Sequence, residues 1–228
     1  MPTPRAISLD ALGTLVTLEP PVDRLAELIR ARHGIEVPPA DARRALRAEM
    51  AHYRGNCIRA ADAASLRELR LECAALLAGE LGGECATLAP AEILPTLLDS
   101  LHFAAYPEVA GALAGWREHG WRLVVASNWD VSLHDVLDET GLRPLLDGVL
   151  TSAEAGVSKP SPAFFAAALE LAGTEPAATI HVGDSLAEDV EGALAAGLDA
   201  AWLQRTGTDA PPPGVQAISS LDQLELPL

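Results

Sequence analysis

Short apolar runs that stop on a polar residue recur along this chain and limit the folds open to it. Ala6-Ile7-Ser8-Leu9 stops at Asp10, Leu123-Val124-Val125-Ala126 at Ser127-Asn128, and Thr179-Ile180-His181-Val182 at Gly183-Asp184-Ser185. Near-continuous apolar runs between helical patterns are expected of strands buried on both faces, and such strands belong to parallel sheets. From Gly120 onward the alternation is regular. Strands are expected near Trp121 to Ala126, Gly148 to Thr151, Thr179 to Val182 and Ala200 to Leu203. Helices fall between them, one with Leu133, Val136 and Leu137, one with Phe164, Phe165, Ala168 and Leu169, and one over about 187–196. The pattern predicts an α/β, doubly wound parallel sheet with right-handed crossovers. In an open sheet of this kind the carboxyl ends of the strands line one crevice, where residues distant in sequence meet.

Between the first strand and Pro107 the period changes. Val22, Leu25, Leu28 and Ile29 fall at helical spacing, as do Leu46, Met50 and Tyr53, then Leu66, Leu69, Cys73, Leu76 and Leu77, and finally Ile93, Leu94, Leu97, Leu98 and Leu101. No strand pattern interrupts these amphipathic helices. Pro20-Pro21, Pro38-Pro39 and Gly82-Gly83 mark helix starts and turns. His52, Tyr53, Arg54 and Asn56 form a polar cluster that breaks the second helical pattern. After Leu203, Pro211-Pro212-Pro213-Gly214 makes a loop before a last short strand near Val215 to Ile218 and a helical turn.

A chain of 228 residues is long enough for a sizeable core plus a smaller insertion. No apolar run approaches the roughly 18–20 residues of a membrane span. Met1-Pro2-Thr3-Pro4-Arg5 lacks a basic segment followed by an apolar one, so a cytoplasmic location is expected. Cys57, Cys73 and Cys85 have no Cys-x-x-Cys spacing and are expected to be reduced packing residues. A net charge of −16 repels nucleic acid and anionic lipid, which leaves a small molecule as the expected partner. Ten of the fifteen arginines lie between Arg24 and Arg70, where solvated helix faces paired with Glu and Asp account for them. Lys159 is the only lysine.

Four segments carry the chemistry. Asp10 is followed by Ala11-Leu12-Gly13-Thr14-Leu15; Ser127-Asn128 ends a strand; Lys159 lies in the loop Gly156-Val157-Ser158-Lys159-Pro160; and Asp184 is followed by Asp189. This order of acid, hydroxyl residue, lysine and acidic pair resembles the haloacid dehalogenase (HAD) superfamily of hydrolases, most of whose members are phosphatases. The resemblance covers the chain outside residues 17 to 104. It implies a Rossmann-like HAD core over residues 1–16 and 105–228 and an inserted all-helical cap over residues 17–104, which closes over the catalytic crevice and excludes water.

The resemblance also implies roles. Asp10 would form a covalent aspartyl intermediate that water then hydrolyses. Ser127 and the backbone around Asn128 would hold the transferring group's oxygens, with Thr14 in the same anion site and its hydroxyl bracing the loop. Lys159 would neutralise those oxygens and hold Asp10 in place. A phosphomonoester dianion resists an anionic nucleophile, so a cation is needed. Carboxylates of Asp10 and Asp184 with the Leu12 backbone carbonyl and water suit Mg²⁺, with Asp189 behind them or reaching the metal through water. Asp184-Ser185 also has the composition of a helix N-cap.

Leu12 departs from the family pattern. Family phosphatases commonly carry an aspartate two residues after the nucleophile, which protonates the leaving alkoxide and then activates water. General acid–base catalysis of this kind is typically worth 10²–10⁴-fold, so a substrate with a good leaving group, or an acid from the cap, is needed. The 2-haloacid dehalogenases also lack this aspartate, since halide leaves without a proton, but they work without metal and tend to have serine in the place of Asp184. The phosphonate-cleaving branch needs a second lysine. Trp129-Asp130 and Leu133 resemble a subgroup of phosphatase-like members with altered first motifs. A Mg²⁺-binding regulatory protein without efficient turnover is the third alternative.

Overall fold

The structure, a computed structural model, describes residues 5–226; Met1 to Pro4, where no leader pattern is expected, lie outside the described residues. The chain divides into two compact units, residues 1–17 with 104–228 and residues 18–103.

Residues 18–103 hold α1 (Pro21–His33), α2 (Pro39–Asn56), α3 (Ala63–Leu81) and α4 (Pro90–Ser100). Proline opens α1, α2 and α4, where its missing N–H costs nothing and its fixed φ suits the first helical position. Asp62 caps α3 by accepting from the N–H groups of Ala64 and Ser65, and Ser65 returns a bond to the Asp62 N–H. Leu25 and Ile29, Ala45 and Leu46, Leu69, Cys73 and Leu77, and Ile93 and Leu97 form the buried faces, close to those the spacing predicts. His52 to Asn56 do not interrupt α2, which continues through them. Some of the arginines are paired: Arg44 with Asp41 at local helical spacing, and Arg32 with Asp99 and Arg59 with Glu72 between segments that are not neighbours in sequence. Arg24 donates to the Asp99 carbonyl.

The other unit opens with β1 (Ala6–Leu9). Two short strands, β2 (Val16–Leu18) and β3 (Phe103–Ala105), form a separate two-stranded sheet at the places where the chain leaves and re-enters this unit. Neither is legible in the sequence, because three residues are too few to show a period. Next come α5 (Val109–Glu118), β4 (Arg122–Ser127), α6 (Leu133–Glu139), β5 (Gly148–Thr151), α7 (Ser152–Ala155) and α8 (Pro162–Ala172). The chain ends with β6 (Thr179–Gly183), α9 (Gly192–Ala195), β7 (Asp199–Leu203) and β8 (Gln216–Ile218).

Six strands make one sheet in the order β5-β4-β1-β6-β7-β8, every pairing parallel. This is the doubly wound Rossmann-like fold that the alternation of runs predicts. β1 lies between β4 and β6 with Ile7 opposite both Leu123 and Ile180, and all four of its residues are buried. The chain winds outward from β1 through β4 to β5, then returns to β6 on the other side. The crevice of such a sheet opens where the winding reverses, here above β1. Phe164 packs on Ala126, and Phe165 packs on Val190 and Trp202, which fixes α8 against the sheet.

The helix expected over 187–196 is in two pieces. A π-helical turn spans Leu186–Glu191 and α9 follows it. The N–H groups of Asp189 and Val190 both reach the Ser185 carbonyl, so the turn widens. The widened turn leaves the Asp189 carboxylate buried beside Gly183, where a Cβ would overlap it.

Candidate active site

Asp10 continues β1 by one residue, its N–H donating to the Val182 carbonyl at 2.9 Å. Its carboxylate therefore stands at the carboxyl end of the central strand, 7% exposed. Ser127 ends β4 beside it and donates from Oγ to Asp10 Oδ1 at 2.9 Å. Lys159 Nζ donates to the same Oδ1 at 2.6 Å and to Asp189 Oδ1, also at 2.6 Å. Asp10 Oδ2 accepts no hydrogen bond from the described residues. Asp184 follows β6, exposed, and one carboxylate oxygen each from Asp10, Asp184 and Asp189 lie within 4.8 Å of one another.

The four segments thus meet. Lys159 is 3% exposed, and its ammonium is held protonated, well above its usual range, by the carboxylates of Asp10 and Asp189 against the cost of burial. Asp189 is driven below the usual carboxylate range: burial opposes the shift, but Lys159 and His181 outweigh it. Two carboxylates share one ammonium, so Asp10 goes the other way, raised by burial and by the Asp189 charge. Partial burial under the Gly13 turn, then the charges of Asp10 and Asp189, push Asp184 up to about 6. Three carboxylates facing one lysine leave the site short of positive charge, and all the donors are oxygen. That donor set fits a hard divalent cation such as Mg²⁺. Asp189 fits a bracing role, since Oδ1 accepts from Lys159 and lies 3.0 Å from His181 Nε2 while Oδ2 accepts from the Ser185 N–H. Asp10 and Asp184 keep open oxygens for the ion.

Two expectations change. Thr14 is fully buried and its Oγ1 has no hydrogen-bond partner among the described residues, so the hydroxyl makes no brace there. Main-chain bonds hold that turn instead: the N–H groups of Leu15 and Val16 donate to the Ala11 carbonyl, and that of Gly13 to the Val16 carbonyl. Gly13 has φ +85°, and a Cβ there would overlap the Asp184 carboxylate, so glycine is required twice over. Asp184 is not the cap of the helical turn after β6; Ser185 is, accepting from the Glu188 N–H. The Asn128 side chain holds Lys159: Oδ1 accepts from the Lys159 N–H at 2.8 Å and Nδ2 donates to the Lys159 carbonyl at 3.1 Å. Leu12 is half-buried in the turn, bridged to Val16.

Sequence patterns alone do not single out His181 and Ser8. His181 is fully buried, its Nδ1 2.9 Å from Ser8 Oγ, with the Phe165 ring edge-on at 5.2 Å. A polar residue inside an apolar strand was the available signal. Here it orients Asp189 from behind.

The sequence model of the haloacid dehalogenase-like hydrolases matches residues 4–197. The chain belongs to that family. Haloacid dehalogenase-like hydrolase domain-containing protein 3 from Homo sapiens is 33% identical over 202 residues, 85% of this chain and 79% of that protein. The Bos taurus protein of the same name is 49% identical over 86 residues, 38% of this chain and only 34% of the relative's length. Phosphoserine phosphatase from Thermus thermophilus is 36% identical over 104 residues, 45% of this chain and 42% of that enzyme. Two solved structures share the fold. A HAD phosphatase from Thermococcus onnurineus superposes with TM-score 0.64 at 24% identity, covering 96% of this chain and 95% of its own. A 2-haloacid dehalogenase from Pseudomonas syringae superposes with TM-score 0.67 at 21% identity, covering 97% and 96%. One HAD-like hydrolase fold therefore hosts both chemistries, and the site must decide between them. Among the described residues, no helix is long and apolar enough to cross a membrane.

Proposed function

We propose that this hydrolase is a Mg²⁺-dependent phosphatase of a small phosphorylated metabolite, with Asp10 as nucleophile. The observation that carries this is Asp184: one of its carboxylate oxygens lies within 4.8 Å of one oxygen of Asp10 and one of Asp189, which supports a cation site there. Without a cation, the same carboxylate repels the carboxylate of a 2-haloacid, so this feature favours phosphate over halide. Sequence similarity to phosphoserine phosphatase supports the same direction.

Asp10, Asp184 and the Leu12 carbonyl would hold the ion, which would screen the phosphate dianion from the attacking carboxylate. Ser127 and Lys159 hold the Asp10 carboxylate in place through Oδ1. The new bond between an Asp10 carboxylate oxygen and phosphorus forms as the ester P–O bond breaks, and the leaving oxygen takes its proton from solvent because Leu12 has none to give. Water then attacks phosphorus, releasing inorganic phosphate and the Asp10 carboxylate. Lys159, Ser127 and the main chain at Asn128 receive the transferring oxygens. Residues 17–104 would be the inserted helical cap. Cys57, Cys73 and Cys85 are buried thiols outside any disulfide, which suits a reducing cytoplasm.

The test is turnover by the purified chain and its Asp10→Asn variant, with and without Mg²⁺, on an aryl phosphate, sugar phosphates and L-2-chloropropionate. Metal-dependent phosphate release, abolished in the variant, is expected. Metal-free chloride release would make it a dehalogenase. Mg²⁺ raising the melting temperature with no turnover on any substrate would make it a binding protein.

A further inference from the structure

β7 supplies none of the acids, yet its end touches both loops that carry them. Trp202 donates its indole N–H to the main-chain carbonyl of Asp184 at 2.9 Å. Just past the strand, Arg205 reaches the turn after Asp10: Nε donates to the Gly13 carbonyl at 2.8 Å and Nη2 to the Thr14 carbonyl at 2.6 Å. Its Nη1 lies 2.8 Å from Glu108 Oε1, and the guanidinium carbon sits 3.4 Å from the centre of the Tyr106 ring. Only 16% of the Arg205 side chain is exposed. An exposed arginine that served solubility alone would have none of these ties. A planar fork held by a carboxylate and a ring face is pre-oriented to grip two successive carbonyls.

Between these two anchor points the loops come into contact. A Cβ on Gly13 would overlap the Asp184 carboxylate, so the turn lies directly against that side chain. Any displacement of the turn changes the separation between the Leu12 carbonyl, Asp10 and Asp184. Asp10 cannot follow such a displacement, because its N–H is bonded into the sheet at the Val182 carbonyl.

We propose that Trp202 and Arg205 are positioning residues: the end of β7 sets the spacing between the Asp10 turn and the Asp184 loop, and with it the preference of the site for a small divalent cation. This rests on the cation site of the proposed function. Mg²⁺ demands octahedral geometry at about 2.0–2.1 Å, whereas Ca²⁺ accepts looser coordination at about 2.3–2.6 Å. Loosened spacing therefore costs Mg²⁺ more than Ca²⁺, a signature that general destabilisation does not produce.

The experiment uses the full chain and three variants, Arg205→Lys, Arg205→Met and Trp202→Phe. Arg205→Lys keeps the charge beside Glu108 but has no planar fork for the two carbonyls; Trp202→Phe keeps an aromatic ring in the core while removing the N–H together with the second ring of the indole. Thermal shift against MgCl₂ and CaCl₂ gives the two midpoints, and amide hydrogen exchange reports on residues 11–16 without any metal. Both Arg205 variants are expected to raise the Mg²⁺ midpoint about 10- to 100-fold, the range for removing a residue that orients metal ligands. The Ca²⁺ midpoint moves less, exchange in the turn quickens, and Trp202→Phe shifts the Mg²⁺ midpoint in the same direction. Unchanged midpoints with unchanged exchange in both Arg205 variants overturn the proposal, as does a parent protein that responds to neither cation. If the parent releases no phosphate yet shows these shifts, the phosphatase assignment fails and the positioning role stands.

Discussion

Lys159 Nζ donates to Asp10 Oδ1 at 2.6 Å, across a gap of 149 residues in sequence and with both side chains almost wholly out of solvent. The same ammonium holds Asp189, so one cation binds two buried carboxylates. Removing one partner of a buried ion pair leaves uncompensated charge, which typically costs about 3–5 kcal/mol.

Lys159→Met is therefore expected to lower the unfolding free energy by about 3–5 kcal/mol. Adding Asp10→Asn to that variant should restore part of the loss, because it removes one of the two orphaned charges. Urea denaturation of the parent, single and double variants measures both. A Lys159→Met protein as stable as its parent would contradict the ion-pair account.

Asp184 gives a pH signature. Its carboxyl is pushed up to about 6 in the folded state, from an ordinary 3.8 for an unperturbed aspartate. Between those values the folded state binds the extra proton, so this group's contribution to stability falls as pH rises through the window and stays low above it. Asp184→Asn lacks this contribution. In metal-free buffer the melting temperature of the variant minus that of the parent should grow from about pH 4 to about pH 7 and then level off. Mg²⁺ should stabilise the parent above that window and leave the variant unmoved. A difference that is flat across the range would rule out the shifted carboxyl.

Leu12→Asp restores a group able to protonate a leaving alkoxide. Sugar phosphates should then turn over at least about tenfold faster, towards the 10²–10⁴-fold worth of general acid–base catalysis. An aryl phosphate, whose leaving group needs little help, should gain less. Equal gains on both substrates, or none, would show that the missing acid does not limit the rate.

Thr14→Val replaces a buried hydroxyl that has no partner with a methyl of similar shape. Stability is expected to stay level or rise by up to about 1 kcal/mol. A loss of more than about 1 kcal/mol in denaturant melts would mean that the hydroxyl is bonded in solution.

The strands around the crevice were legible because β1, β4 and β6 are largely buried, which writes them as near-continuous apolar runs, and because each leads into the residue that reaches the site; their order in the sheet was not. Asp10, Ser127 and Asp184 could be placed at strand ends for that reason, and Lys159 stood out as the single lysine in a loop. The helical insertion was legible from its period. Local signals of this kind depend on neighbours in sequence. What neighbours could not supply came from contacts between distant segments: the pairing of β2 with β3, the π-helical turn that draws Asp189 inward, and the cap made by Ser185 where Asp184 was expected. The same holds for Asn128, whose side chain grips the Lys159 backbone, and for Arg205, which reads as an ordinary surface charge until the carbonyls of Gly13 and Thr14 lie beneath it. The sequence by itself determined the layers of the fold and the acids at the crevice, because burial on two faces and helical spacing are local patterns. Only the tertiary structure decided which atoms of those acids stay open, because hydrogen-bond partners and the balance of buried charge exist only once the chain has closed on itself.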